Sequence, residues 1–124
     1  METRAKFLEE ITKINKNYDT DLIGRAFDTA KALHDGQLRK SGEPYLIHPI
    51  AVAKILAELG MDEETIVGGL LHDVVEDTEY TRAQLVEEYG EEVALLVDGV
   101  TKLGSIKFDS KEEAQAENLR KMFL

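Results

Sequence analysis

LLHDVVEDT, residues 70–78, is the stretch that decides how this chain is read. On a helix each residue advances about 100°. His72 then lies one turn before Glu76, and Asp73 one turn before Asp77. The adjacent pairs close these four side chains into a polar quadrilateral. Val67, Leu70, Leu71, Val74 and Val75 cover most of the remaining circumference. A helix that is apolar on most of its surface is a buried one. A buried charge must be paired or must bind a metal, so the quadrilateral predicts a cation inside the protein. Acids at a helix C-terminus also oppose the helix dipole. Glu76 and Asp77 beside Asp73 therefore require a positive partner.

The flanking sequence reads as helices punctuated by glycine. Asp62 is a cap for the quadrilateral helix, which is predicted to run to about residue 75 or 76. Upstream, Phe7, Leu8, Ile11 and Ile14 form an apolar stripe over about 3–16. A second stripe, Leu22, Ile23, Ala26, Phe27, Ala30 and Leu33, spans about 20–35 and stops at Gly36. Residues 36–47 carry Gly36, Gly42 and Pro44 and read as a loop. Pro49 suits the first turn of a third helix over about 49–59, ended by Gly60. Downstream, Thr81 with Gln84 is a capping box for a helix ended by Gly90. A sixth helix covers about 91–101, followed by a loop, LGSIKF. Ser110 with Glu113 is a second capping box and opens a seventh helix that is still running at Leu124. No alternating strand pattern and no repeat is present. The expectation is an all-α bundle of about seven helices, 1–124 forming one unit that is cut short at its C-terminus, with the apolar end Met122-Phe123-Leu124 able to drive self-association.

Composition narrows the chemistry. The 124 residues include no cysteine, so disulfides and thiolate metal sites are excluded, and the absence is compatible with a reducing cytoplasm. Any metal must use imidazole and carboxylate. No apolar run approaches the ~20 residues of a membrane helix, and METRAKFLEE lacks the apolar core of a signal peptide. The net charge of −10 argues against non-specific binding to nucleic acid or anionic membranes. It leaves room for an anionic small molecule held by a local basic loop. The acidic pairs Glu63–Glu64, Glu87–Glu88, Glu91–Glu92 and Glu112–Glu113 read as solvated helix surface.

Three groups of residues carry chemistry. His72 and Asp73, adjacent on a helix, can both reach one ion at its edge, and imidazole with carboxylate suits Zn, Mn or Fe. A bare His-Asp dipeptide is common, and read alone the pair is better taken as two polar residues bonded to backbone. His48 is 24 residues earlier, one helix and a turn away, which lets it return beside the His72 helix. As a lone residue it reads first as a packed or capping histidine and only second as a ligand. Glu76 and Asp77, one turn from a metal and its water, could act as general base or orient the nucleophile. Arg39 and Lys40, with Ser41, sit in the glycine loop and could hold a phosphorylated ligand. The bland alternative is a solvated basic loop. His34 reads as structural or exposed, and Lys102 and Lys107 are less telling.

RKSGEPYLIHP (39–49), GLLHDVVEDT (69–78) and VTKL (100–103), in this order and at these gaps, closely resemble the hydrolase domain of RelA/SpoT-type alarmone synthetase/hydrolases, members of the HD phosphohydrolase superfamily. The resemblance runs from about Ile23 to the end. It implies an all-helical HD domain that removes the 3′-pyrophosphate from guanosine tetra- or pentaphosphate, with Mn²⁺ as the usual metal. By match to the motifs, His48, His72 and Asp73 would be metal ligands. Glu76 and Asp77 would be the acidic pair that activates or positions water. Arg39 and Lys40, with Ser41 close by, would contact the guanine nucleotide. The resemblance also implies synthetase and regulatory domains in the parent protein. One family feature is missing: the further metal-binding aspartate, in a downstream DRLHN-like stretch. The expectation is therefore three of four ligands and a weak or inactive fragment of an active parent. Two alternatives stay open: a non-catalytic helical module that regulates or binds nucleotide, and an HD phosphohydrolase for another nucleotide.

Overall fold

The computed structural model describes residues 3–105. Six helices follow in order: α1 (Arg4–Ile14), α2 (Thr20–Leu33), α3 (Ile47–Glu58), α4 (Glu63–Asp77), α5 (Arg82–Tyr89) and α6 (Glu91–Ser105). The described residues contain no strand beyond one isolated bridge between Leu38 and Pro44. The fold class is all-α. The seventh helix, with its Ser110–Glu113 capping box, lies outside the described residues, as do Lys107 and the apolar end at Leu124.

The caps explain most boundaries. The Asp62 carboxylate accepts from Thr65 N at 2.9 Å and starts α4. Thr81 and Gln84 form the reciprocal capping box at α5. The end of α3 is a paired backbone closure: Gly60 N donates to Ala57 O and Met61 N to Leu56 O. Gly60 has φ +79° there, which favours glycine.

Three boundaries differ from the sequence reading. Helix α3 begins at Ile47, so His48 lies inside its first turn and Pro49 directly follows it. Backbone bonds from Ile47 N to Pro44 O and His48 N to Tyr45 O wind the chain into the helix early. Helix α4 continues through Asp77, which places Glu76 and Asp77 in its last turn. Helix α6 continues through Gly104 to Ser105, over the first part of the expected LGSIKF loop. A glycine inside a helix costs only about 1 kcal/mol, too little to end a helix by itself.

Helix α4 is the centre of the bundle. It packs against α2, α3 and α6, and every residue from Ile66 to Val74 is buried. Around it, α1 joins α2 through a stacked Phe7–Phe27 pair with ring centroids 5.3 Å apart. The Arg25 guanidinium lies over the Tyr89 ring at 4.6 Å and ties α2 to α5. Among the described residues, no helix is long and apolar enough to cross a membrane.

Candidate metal centre

Two glycines in the middle of α4 let its neighbours approach closely. A Cβ on Gly69 would lie 2.7 Å from Leu56 Cδ1 and 3.2 Å from Val52 Cγ1, both on α3. A Cβ on Gly68 would lie 3.2 Å from Leu96 Cβ on α6. The approach at Gly69 brings the first turn of α3, with His48, beside His72 and Asp73. The Gly69 carbonyl has a second use. It accepts from His72 Nδ1 at 2.6 Å, which leaves His72 Nε2 facing Asp73. Such an outer partner fixes the ring and the tautomer of a ligating histidine.

Asp73 Oδ2 is the focus of the cluster. It is 3.0 Å from His72 Nε2 and 3.4 Å from His48 Nε2. One ligand atom from each of His48, His72 and Asp73 lies within 4.8 Å of the others. Donors about 2.1 Å from a shared ion sit at separations of about 3–4 Å, so small side-chain movements suffice to hold a cation. The donor set of two imidazoles and one carboxylate suits a divalent metal of the borderline class. The three residues fit a metal ion.

The electrostatics follow from burial and proximity. Burial pushes the His48 imidazole down to about 4, with His72 and Arg39 adding to the effect and Asp73 opposing it. His48 is therefore neutral and free to donate a lone pair at neutral pH. Burial also works against a charge on His72. The hydrogen bond and charge of Asp73, with the Gly69 carbonyl, outweigh it and hold His72 above its usual range. Burial alone would raise Asp73, but its bonds to His72 and Tyr45 hold it below the usual carboxylate range. The protein thus places the Asp73 carboxylate at the focus, with the two imidazoles beside it.

The loop between α2 and α3 forms the outer wall. Arg39, Lys40 and Ser41 are exposed. With Leu38, Glu43, Tyr45 and His48 they line an open cavity of about 670 Å³. Bonds from Arg39 N to Glu43 O and from Tyr45 N to Gln37 O shape the loop. Tyr45 reaches inward, and its hydroxyl lies 3.0 Å from both Asp73 Oδ2 and Asp77 Oδ2. Burial, then the charge of Asp73, push this phenol far above its usual range, so it remains a donor.

The structure brings His48, His72 and Asp73 together and sets Arg39, Lys40 and Ser41 along the same cavity as His48. It divides the quadrilateral. His72 and Asp73 are buried, whereas Glu76 and Asp77 are exposed. Their charges are solvated, so the buried-charge argument for a cation rests on Asp73 alone. Asp77 remains linked to the centre through Tyr45. Glu76 stands on the other side of His72, along a cavity of about 230 Å³ with Asp98 and Thr101. His34, read as structural or exposed, is buried at the end of α2, with Nδ1 against Gln37 Oε1 at 2.7 Å. Lys102 lies in α6, and its side chain is outside what is described. Sequence reasoning passed over Tyr45, Gln37 and Gly69. The available signal was the position of Tyr45 in the short turn that leads into the His48 helix.

Comparison with known proteins bears directly on this centre. The HD domain family matches residues 26–124. A guanosine-3′,5′-bis(diphosphate) 3′-pyrophosphohydrolase of Haemophilus influenzae is 57% identical over 95 residues, 77% of this chain and 14% of its own length. A GTP pyrophosphokinase of Myxococcus xanthus is 52% identical over 117 residues, 92% of this chain and 16% of its own. A bifunctional (p)ppGpp synthase/hydrolase of Escherichia coli is 53% identical over 102 residues, 82% of this chain and 14% of its own. The chain spans between 14% and 16% of the length of these three relatives.

Proposed function

Because the chain belongs to the HD domain family, we propose that it supplies the metal centre and nucleotide loop of a cytoplasmic, Mn²⁺-dependent (p)ppGpp 3′-pyrophosphohydrolase. Residues 1–124 are the N-terminal portion of that hydrolase domain. The observation that carries this reading is the cavity of about 670 Å³ that runs from Arg39, Lys40 and Ser41 to the metal-ligand candidate His48. One cavity lined by a basic loop and by His48 suits a ligand with two separate phosphorylated ends. The names of the relatives support the substrate. The bifunctional relative from Escherichia coli supports a synthetase in the parent protein.

In this mechanism His48, His72 and Asp73 would hold the divalent ion. When bound, the ion supplies Lewis acidity at a phosphoryl oxygen and a more acidic water. Arg39 and Lys40 bind the anionic nucleotide by charge-assisted hydrogen bonds, with Ser41 beside them. Asp77 and Glu76, one turn beyond the ligands, take the water's proton or orient its lone pair. The water oxygen bonds to the phosphorus next to the ribose 3′-oxygen, that P–O bond breaks, the 3′-oxygen gains a proton, and pyrophosphate leaves. GDP or GTP remains.

The test is a ligand panel on the chain, with Mn²⁺ present or chelated. The expected result is tighter binding of ppGpp than of GDP or ATP, with the preference lost on chelation. Equal binding of ATP would assign the centre to another nucleotide. No nucleotide binding in either state would favour a non-catalytic helical module.

A further inference from the structure

The Tyr45 hydroxyl has one proton and two carboxylate acceptors at equal distance, Asp73 Oδ2 and Asp77 Oδ2, each 3.0 Å away. Asp73 Oδ2 is the more crowded of the two. It also faces His72 Nε2 at 3.0 Å and His48 Nε2 at 3.4 Å, so three polar groups compete for one oxygen. Asp77 is gripped a second time from the same loop, since Gln37 Nε2 donates to its backbone carbonyl at 3.0 Å. Gln37 is in turn held by His34 Nδ1 at 2.7 Å. The buried His34 ring packs against the Tyr45 ring with centroids 4.8 Å apart. Tyr45 and Gln37 therefore connect the end of α4 to the loop that carries Arg39 and Lys40.

We propose that Tyr45 is a positioning residue that couples Asp77 to the occupancy of the metal centre. With no cation, the hydroxyl proton is divided between Asp73 and Asp77. Once the charge on Asp73 is neutralised, its Oδ2 is the weaker acceptor, and the hydroxyl donates to Asp77 alone. Asp77 Oδ2 is then fixed, and its second oxygen is left to accept from water. Gln37 holds the backbone of Asp77 in place meanwhile. The bond that Asp77 gains on filling of the centre adds to the affinity for the ion. This rests on the metal reading above, and it adds a residue that neither binds the ion nor touches the reacting atoms.

The experiment is a double-mutant cycle on Mn²⁺ binding, read from the free-ion electron paramagnetic resonance signal of the chain, with Tyr45→Phe, Asp77→Ala and the pair. Tyr45→Phe keeps the ring against His34 and removes only the hydroxyl. The expected result is Mn²⁺ binding weakened about threefold or more, the loss of the bond that Asp77 gains on filling of the centre. Asp77→Ala should weaken binding at least about threefold more in the unsubstituted background than in the Y45F background, about 0.6 kcal/mol of coupling. Y45F binding within twofold of the unsubstituted chain, or an additive cycle, overturns the proposal while leaving the metal reading intact. No Mn²⁺ uptake by the unsubstituted chain overturns both. Should Y45F fail to fold, the unsubstituted chain labelled at tyrosine Cζ decides. Diamagnetic Zn²⁺ should shift the Tyr45 resonance among the four tyrosines, and an unmoved spectrum at saturation refutes the coupling.

Discussion

Replacing Gly69 by alanine sets two effects of known size against each other. Alanine in a helix interior is favoured over glycine by about 1 kcal/mol. The added Cβ, however, would lie 2.7 Å from Leu56 Cδ1 and 3.2 Å from Val52 Cγ1. Leu56 and Val52 are fully buried, and Val52 is stiff at χ1, so neither can swing aside into open space. Overpacking of this kind costs about 1–3 kcal/mol. The net expectation is a loss of about 1 kcal/mol, measured by urea unfolding with metal chelated. The same push moves α3 away from α4 one turn from both His48 and His72, so Mn²⁺ should bind about tenfold more weakly. Gly68→Ala is the control. Its Cβ would meet Leu96 Cβ at 3.2 Å, against α6 rather than α3, so the propensity gain and the crowding roughly cancel and Mn²⁺ binding stays within twofold. If Gly69→Ala stabilises the chain and leaves Mn²⁺ binding unchanged, the close approach is not what positions His48.

Other perturbations test separate parts of the account. Asp62→Ala removes the α4 cap and should cost about 1 kcal/mol at pH 7. The hydrogen bonds from Thr65 hold the Asp62 carboxyl below its usual range, so the stability it contributes is present above about pH 4. It is lost as pH falls through the depressed native value, so unfolding curves of the two proteins should converge in acid. Arg39→Ala should weaken ppGpp binding about tenfold and leave Mn²⁺ binding within twofold, as isothermal titration would show, because Arg39 is exposed and outside the ligand cluster. Phe27→Ala removes a fully buried ring stacked on Phe7. It should cost about 3–5 kcal/mol, enough for thermal melting to detect a largely unfolded chain.

Much of the fold was legible because short-range chemistry set it. Asp62, Thr81 with Gln84, and Gly60 act within four residues of themselves, and each stands where the sequence placed it. The burial of α4 was legible from its apolar circumference. The end of α6 was not, because a glycine of low propensity does not by itself end a helix. In the site, His48, His72 and Asp73 were legible as residue types. The 3.4 Å approach of His48 to Asp73 depends on contact between α3 and α4 across Gly69, which no local pattern encodes. The quadrilateral misled for a related reason. Its four members are neighbours on one helix, but α4 emerges from the bundle at its last turn, which leaves Glu76 and Asp77 in water. Tyr45 escaped notice because its two carboxylate partners are 28 and 32 residues away.

The central claim is that His48, His72 and Asp73 form a divalent metal centre. The most direct measurement is thermal unfolding of the chain against Mn²⁺ concentration, beside Asp73→Ala. At about a hundredfold over the dissociation constant, binding to the native state adds about 2.7 kcal/mol. That shifts the midpoint upward by about 10 °C or more in a domain of this size. The account expects such a shift in the unsubstituted chain and none in Asp73→Ala. A midpoint that stays fixed at millimolar Mn²⁺, or that rises equally in Asp73→Ala, would contradict it.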